Sequence, residues 1–302
     1  MARPRADPAA RGPHDGGITM ATDDRGKAER RRAARADALA LKQKQAARDR
    51  RNRIVTFGLL GAAVVALLVV FVVVLRQGTA SSDRFEFADQ PLADVADVPS
   101  TARPDGGIPV GTDGAAGTTT QGAPELGIYY DYICPVCGQF EKSNGATVDT
   151  MIADGDATVV FYPVAILDRS SSGTHYSTRA AAAAAWVADR APEAFVDFHD
   201  ALYVDQPLEG TRGLTDKRLA DIATNAGVPQ DVADGIADGT AVDTFGQWVT
   251  SATQAAAGSS ALANPQTNRF GTPTLTIDGT RWDGNWQDPS ALPAAVAQAG
   301  GR

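Results

Sequence analysis

Apolar and polar positions divide the chain into stretches with different rhythms. Residues 1–53 show no sustained apolar period, 54–75 are apolar throughout, and 76–105 are irregular and mostly polar. From residue 106 onward, short β-branched and aromatic runs alternate with longer stretches at helical spacing, the pattern of an α/β domain over 106–302. Gly106–Gly111 reads as a short edge strand where Pro109 is tolerable, and Glu125–Ile133, with Ile128, Tyr129, Tyr130 and Tyr132, as a strand buried on both faces. After it, Pro135 can open a helix that carries Val136, Phe140, Val148 and Ile152, and Ala157–Ile166 supplies a second strand. Strand, helix and strand in this order predict a βαβ unit with a right-handed crossover.

A helical stretch of about 174–258 follows. Thr174–Asp189 contains a six-alanine run, Pro192–Tyr203 places Phe195, Phe198 and Leu202 at helical spacing, and Thr215 can cap a helix that Gly227 stops. Asp243–Ala257 carries Phe245, Trp248 and Val249. The chain then returns to strand character in Arg269–Trp282, with Asp278-Gly279 as a hairpin turn, and Asp288 with Pro289 can open a last helix that ends at Gly300-Gly301. The expectation is an α/β domain with an all-helical insertion.

Charge changes the reading of the N-terminal half. Residues 1–53 carry a net +8 and the remainder −16, although the whole chain sums to −8. Ile54 to Leu75 has no charged residue and, at ~1.5 Å per residue, is long enough for a hydrocarbon core of about 30 Å. A single transmembrane helix over 54–75 is expected. Arg48, Arg50, Arg51 and Arg53 crowd one side of it, so the N-terminus is expected in the cytoplasm and the folded domain outside. Cleavage near Gly78-Thr79-Ala80, as in a secretory signal, is the alternative, but the apolar run is longer than such signals carry. In either case the domain is extracytoplasmic. The basic, largely disordered arm 1–53, with Met20 as a second possible start, reads as a topology signal that meets the lipid bilayer rather than nucleic acid, and 76–105 as a flexible linker.

Candidate chemistry concentrates in Asp131-Tyr132-Ile133-Cys134-Pro135-Val136-Cys137, which holds both cysteines of the chain. A zinc site needs four ligands, and His175 and His199 stand too far apart in helical stretches to complete one. A structural disulfide across so small a loop would restrain little of the unfolded chain. Thiol–disulfide exchange uses the spacing directly. At a helix start Cys134 is the nucleophile with a lowered pKa, and Cys137, one turn further in, is the resolving thiol. His175 and His199 read as surface or packing residues.

This motif, together with Gly271-Thr272-Pro273-Thr274, resembles the DsbA-like branch of the thioredoxin superfamily in its membrane-anchored actinobacterial form. The resemblance covers about 106–299 and implies a thioredoxin-like fold with the helical insertion. It also implies a cis Pro273 beside Cys134, with Thr272, Pro273, Pro135 and Val136 forming the wall that meets substrate. Two features depart from the family. Val136 stands where its oxidases often carry a histidine, which should make the pair less oxidising. Ile128 occupies the position six residues before the first cysteine where thioredoxins tend to hold a buried acid, leaving Asp131 as the nearest candidate proton acceptor or, alternatively, a capping residue.

The function expected is disulfide formation in secreted or cell-envelope proteins, with no cofactor and no metal. The resemblance implies a membrane reoxidase, of the vitamin-K-reductase type, as partner. A reductase or isomerase on the same cysteines is the alternative, and a thioredoxin-like binding module without turnover is a further one.

Overall fold

The computed structural model describes residues 39, 42–45, 48 and 85–301. The first six are helical and exposed, within the stretch of the basic arm where strong helix formers predict a helix. The expected membrane helix, 54–75, lies outside the described residues. Among the described residues no helix is long and apolar enough to cross a membrane.

Five strands form one sheet: β1 (Ile108–Val110), β2 (Glu125–Tyr130), β3 (Thr158–Pro163), β4 (Thr274–Ile277) and β5 (Thr280–Trp282), in the order β1-β3-β2-β4-β5. β2 runs parallel to β3, with Ile128 beside Phe161, and the other neighbours are antiparallel. The helix α1 (Pro135–Asp154) connects the parallel pair. β2 is shorter than its apolar run suggests. Its pairing ends at Tyr130, opposite Pro163, and the backbone turns at Asp131, whose carboxylate accepts the Ile133 N–H. Ile128 is buried in the middle of the strand, so no carboxylate occupies that place in the core.

The helical insertion consists of α2 (Tyr176–Arg190), α3 (Phe195–Val204), α4 (Asp216–Asn225), α5 (Gln230–Ala237) and α6 (Thr240–Gly258). Ala180 to Ala185 are all buried, and their small side chains let α2 pack closely against α6. A helix buried on every face needs no amphipathic stripe. Thr215 caps α4 by accepting the Arg218 N–H. α5 was not predicted: eight residues after Pro229, with a glycine inside, carry too little pattern. It is held by the Trp186 indole, which donates to the Val232 carbonyl at 2.9 Å. The last helix, α7 (Ala291–Gly300), starts later than predicted, because Asp288 uses its carboxylate on the amide and hydroxyl of Ser290 in the preceding turn.

Part of the stretch expected to be a linker, 85–105, is instead fastened to the domain. Phe85 stacks on His175, Phe87 packs against Gly246, and Gln247 exchanges two hydrogen bonds with Ala88. Further along, Ser100 binds Asp189, and Arg103 forms a bidentate pair with Glu125. Isolated aromatics in a polar stretch give no periodic signal, yet each can find an apolar seat.

Candidate active site

Cys134 is the N-cap residue of α1, followed by Pro135 in the first turn. An N-cap side chain ordinarily accepts from the free amides of the first turn; the Cys134 sulfur makes no such cap hydrogen bond, though the Cys137 and Val136 amides are near enough to favour its charged form. The Cys134 thiol is lowered to about 6, first by a hydrogen bond from Cys137, then by the Thr272 side chain and the backbone amides of Cys137 and Val136, against the opposing effect of burial. As a thiol it donates to the Thr272 carbonyl at 3.4 Å. Both cysteines are free thiols. Cys137 is more deeply buried, and burial, followed by the neighbouring Cys134 sulfur, pushes its thiol well above the usual range. The pair is thus split into a buried thiol that ionises readily and a still more buried one that holds its proton.

The Thr272–Pro273 peptide bond is cis, and Thr272, half-buried like Pro273, reaches the cysteines. The Thr272 hydroxyl is buried without a hydrogen-bond partner in this arrangement, and it lies close enough to both sulfurs to favour their charged forms. Pro135 and Val136 are exposed at the helix tip. Val136 contributes to the Cys134 environment only through its backbone amide.

Asp131 is fully buried. Its carboxylate accepts from the Ile133 amide at 3.0 Å, the Leu167 amide at 2.9 Å and the Ser177 hydroxyl at 2.7 Å, bracing the active-site turn against the segment after β3 and against α2. Burial nevertheless pushes it up to about 7, the three hydrogen bonds offset that in part, and the Cys134 charge adds to the rise. It therefore combines a bracing role at the end of the strand with a carboxyl that can exchange a proton near neutrality.

Sequence reasoning missed Gln206. Its amide donates to the carbonyls of Tyr132 at 3.2 Å and Cys134 at 2.9 Å, clamping the turn from the loop after α3. Its carbonyl lies over Gly138, where an added Cβ would collide with it. A glutamine in a polar loop has no periodicity to betray it. Ser177 was missed because a serine in a helical stretch carries no sign of the distant carboxylate it bonds. Val136, Val204 and Leu208 are three of the five large exposed apolar side chains among the described residues, with Val204 and Leu208 on either side of Gln206. Of the two histidines, His175 is partly exposed against Asp168 and Phe85, and His199 is buried among Tyr130, Tyr132, Phe161 and Tyr203.

A family model described as thioredoxin matches residues 117–297, more than half of the chain. The chain belongs to the thioredoxin family. Within it, the chain is similar to DsbA and DsbG of Mycobacterium tuberculosis. The oxidised DsbA of Mycobacterium tuberculosis is 32% identical, with a TM-score of 0.52 over 65% of this chain and 93% of that one. The reduced disulfide bond oxidoreductase DsbG of the same organism is 33% identical, with a TM-score of 0.52 over 67% and 90%. MdbA, a thiol-disulfide oxidoreductase from Actinomyces oris, shares the fold at 23% identity and a TM-score of 0.54, covering 71% of this chain and 98% of that one. The serine/threonine-protein kinase PknE of Mycobacterium tuberculosis is 32% identical over 179 residues, 57% of this chain. This chain spans 29% of that kinase's length. In this thioredoxin-family member, the cysteine pair sits at a helix start and the cis-proline loop closes over it.

Proposed function

We propose that this DsbA-like domain works outside the cytoplasm, anchored by 54–75, and introduces disulfides into secreted or cell-envelope proteins. The observation that supports this most directly is the split between the two thiols. A stabilised Cys134 thiolate favours the reduced form of the pair, which makes the oxidised pair a stronger acceptor of electrons. In the reaction a substrate thiolate attacks Cys134 Sγ of the oxidised pair and Cys137 leaves, taking up a proton because its thiol is held high. Asp131 is the carboxyl that exchanges this proton. A second substrate thiolate then attacks the substrate sulfur of the mixed disulfide and releases Cys134 as thiolate. The substrate gains one disulfide and the enzyme two electrons, which a membrane reoxidase, of the vitamin-K-reductase type, removes. The exposed Val136, Val204 and Leu208 offer an unfolded chain an apolar landing beside the sulfurs.

A reductase or isomerase is the second reading, favoured by Val136 in place of a histidine. Trapping separates the two. With Cys137→Ala, secreted proteins are expected in mixed disulfides with Cys134, and alkylation in cells should find the wild-type pair mostly oxidised. A pair found fully reduced would overturn the oxidase reading and leave the reductase.

A further inference from the structure

The cleft between α1 and α3 holds a set of donor atoms that the exchange chemistry does not use. Glu141, Asp149, Asp200 and Lys142 line this cavity of about 390 Å³, and His199 lies just beneath it. One ligand atom each from Glu141, His199 and Asp200 falls within 4.8 Å of the others. We propose that these three residues bind a divalent transition ion of the zinc class, apart from the two cysteines.

The imidazole is the observation that takes this beyond a patch of acids. His199 is 3% exposed, a poor place for a basic group without a task. Its Nδ1 lies 3.1 Å from the Tyr132 hydroxyl, which leaves Nε2 directed at the cleft, 3.5 Å from Glu141 Oε2. An imidazole whose second nitrogen is held by a fixed partner is how metal-ligating histidines are oriented. A tetrahedral ion with bonds of about 2.0–2.1 Å sets its ligands roughly 3.3–3.5 Å apart. Glu141 and His199 already stand at that spacing, and a rotation of the partly exposed Asp200 completes the set, leaving the fourth position open to the cleft.

Two further observations agree with a cation. Among the described residues, Glu141, Asp149, Asp197 and Asp200 form no ion pair with lysine or arginine, and Glu141 meets only His199. Lys142 lines the cleft without pairing with them. Gly145 also makes room: a Cβ there would collide with the Glu141 carboxylate, which lies back over the helix toward His199. One imidazole with two carboxylates suits zinc or a similar transition ion better than calcium, which prefers oxygen alone.

The test uses the full chain with the Cys134–Cys137 disulfide formed, so that neither sulfur can ligate. Calorimetric titration with Zn2+ is expected to give one ion per chain, and Zn2+ should raise the melting temperature. Glu141→Gln and Asp200→Asn should each weaken binding at least tenfold, while Asp197→Asn leaves it within twofold. Both variants alter side chains at the cleft, so folding is checked by their melting curves without metal. Absence of zinc binding to the oxidised chain, equal binding by well-folded Glu141→Gln and Asp200→Asn, or Ca2+ bound as tightly as Zn2+ would overturn the proposal.

Discussion

The sheet half and the helical insertion meet at the cysteines, and they contribute in different ways. The sheet half supplies the two sulfurs and the loop beside them from two short segments, 131–137 and 271–274, and there the Cys134 thiol is lowered first by the Cys137 side chain, then by the Thr272 side chain and the amides of Cys137 and Val136. The insertion supplies no reacting atom. It reaches the turn through single side chains, Ser177 on Asp131 and Gln206 on the Tyr132 and Cys134 carbonyls. The difference separates making a reactive thiolate from holding it in place. Substitutions in the two halves should therefore fail differently.

The largest effect is expected from Cys134→Ser, which removes the nucleophile. Exchange with a dithiol peptide should fall by ~10³-fold or more, with the melting temperature of the chain little changed. Residual exchange at the wild-type rate would assign the chemistry elsewhere. Asp131→Asn comes next because the residue belongs to both halves. Losing proton exchange should slow turnover near pH 7 by ~10²-fold. The carboxyl also leaves a signature in stability. Its folded value of about 7 lies above the ordinary 3.8, so the folded state holds an extra proton between them. This contribution to stability is full below about pH 4, is lost as pH rises to about 7, and is level above. The Asn variant should show no such decline, and an unchanged pH profile would deny Asp131 its raised pKa.

Gln206→Ala probes the insertion alone. Loss of two hydrogen bonds should cost about 2 kcal/mol, and the Cys134 thiolate, followed by its ultraviolet absorbance, should titrate above its present value of about 6 as the turn loosens. If stability falls while the titration stays in place, Gln206 is only a tether. Thr215→Ala serves as the comparison inside the insertion: loss of the α4 cap should cost about 1 kcal/mol, with no movement of the Cys134 titration.

The same contrast explains what the sequence made legible. Cys134 and Cys137 could be found because their spacing stands between strand and helix patterns, and Pro273 because Gly271-Thr272-Pro273-Thr274 resembles the cis-proline loop of the family. The insertion could be recognised as helical because alanine runs and aromatic spacing are strong signals, and the short α5 escaped because its pattern was weak. Gln206 and Ser177 could not be found, since their roles depend on where the folded chain brings them. Asp131 was half legible: its position before the motif marked it, but its three partners come from Ile133, Leu167 and Ser177. The anchoring of 85–105 was missed because it rests on isolated side chains.

That anchored segment also has a mechanical meaning. Phe87 meets Gly246, Ala88 is held by Gln247, and the Gln90 carbonyl accepts from Ser251, so three successive attachments fall on α6. A pull on Phe85 therefore meets the Phe85–His175 stack at the start of α2 and then the attachments on α6, which packs against α2. These attachments lie on the insertion, and the segment's pair with β2, Arg103 to Glu125, comes only further along the chain.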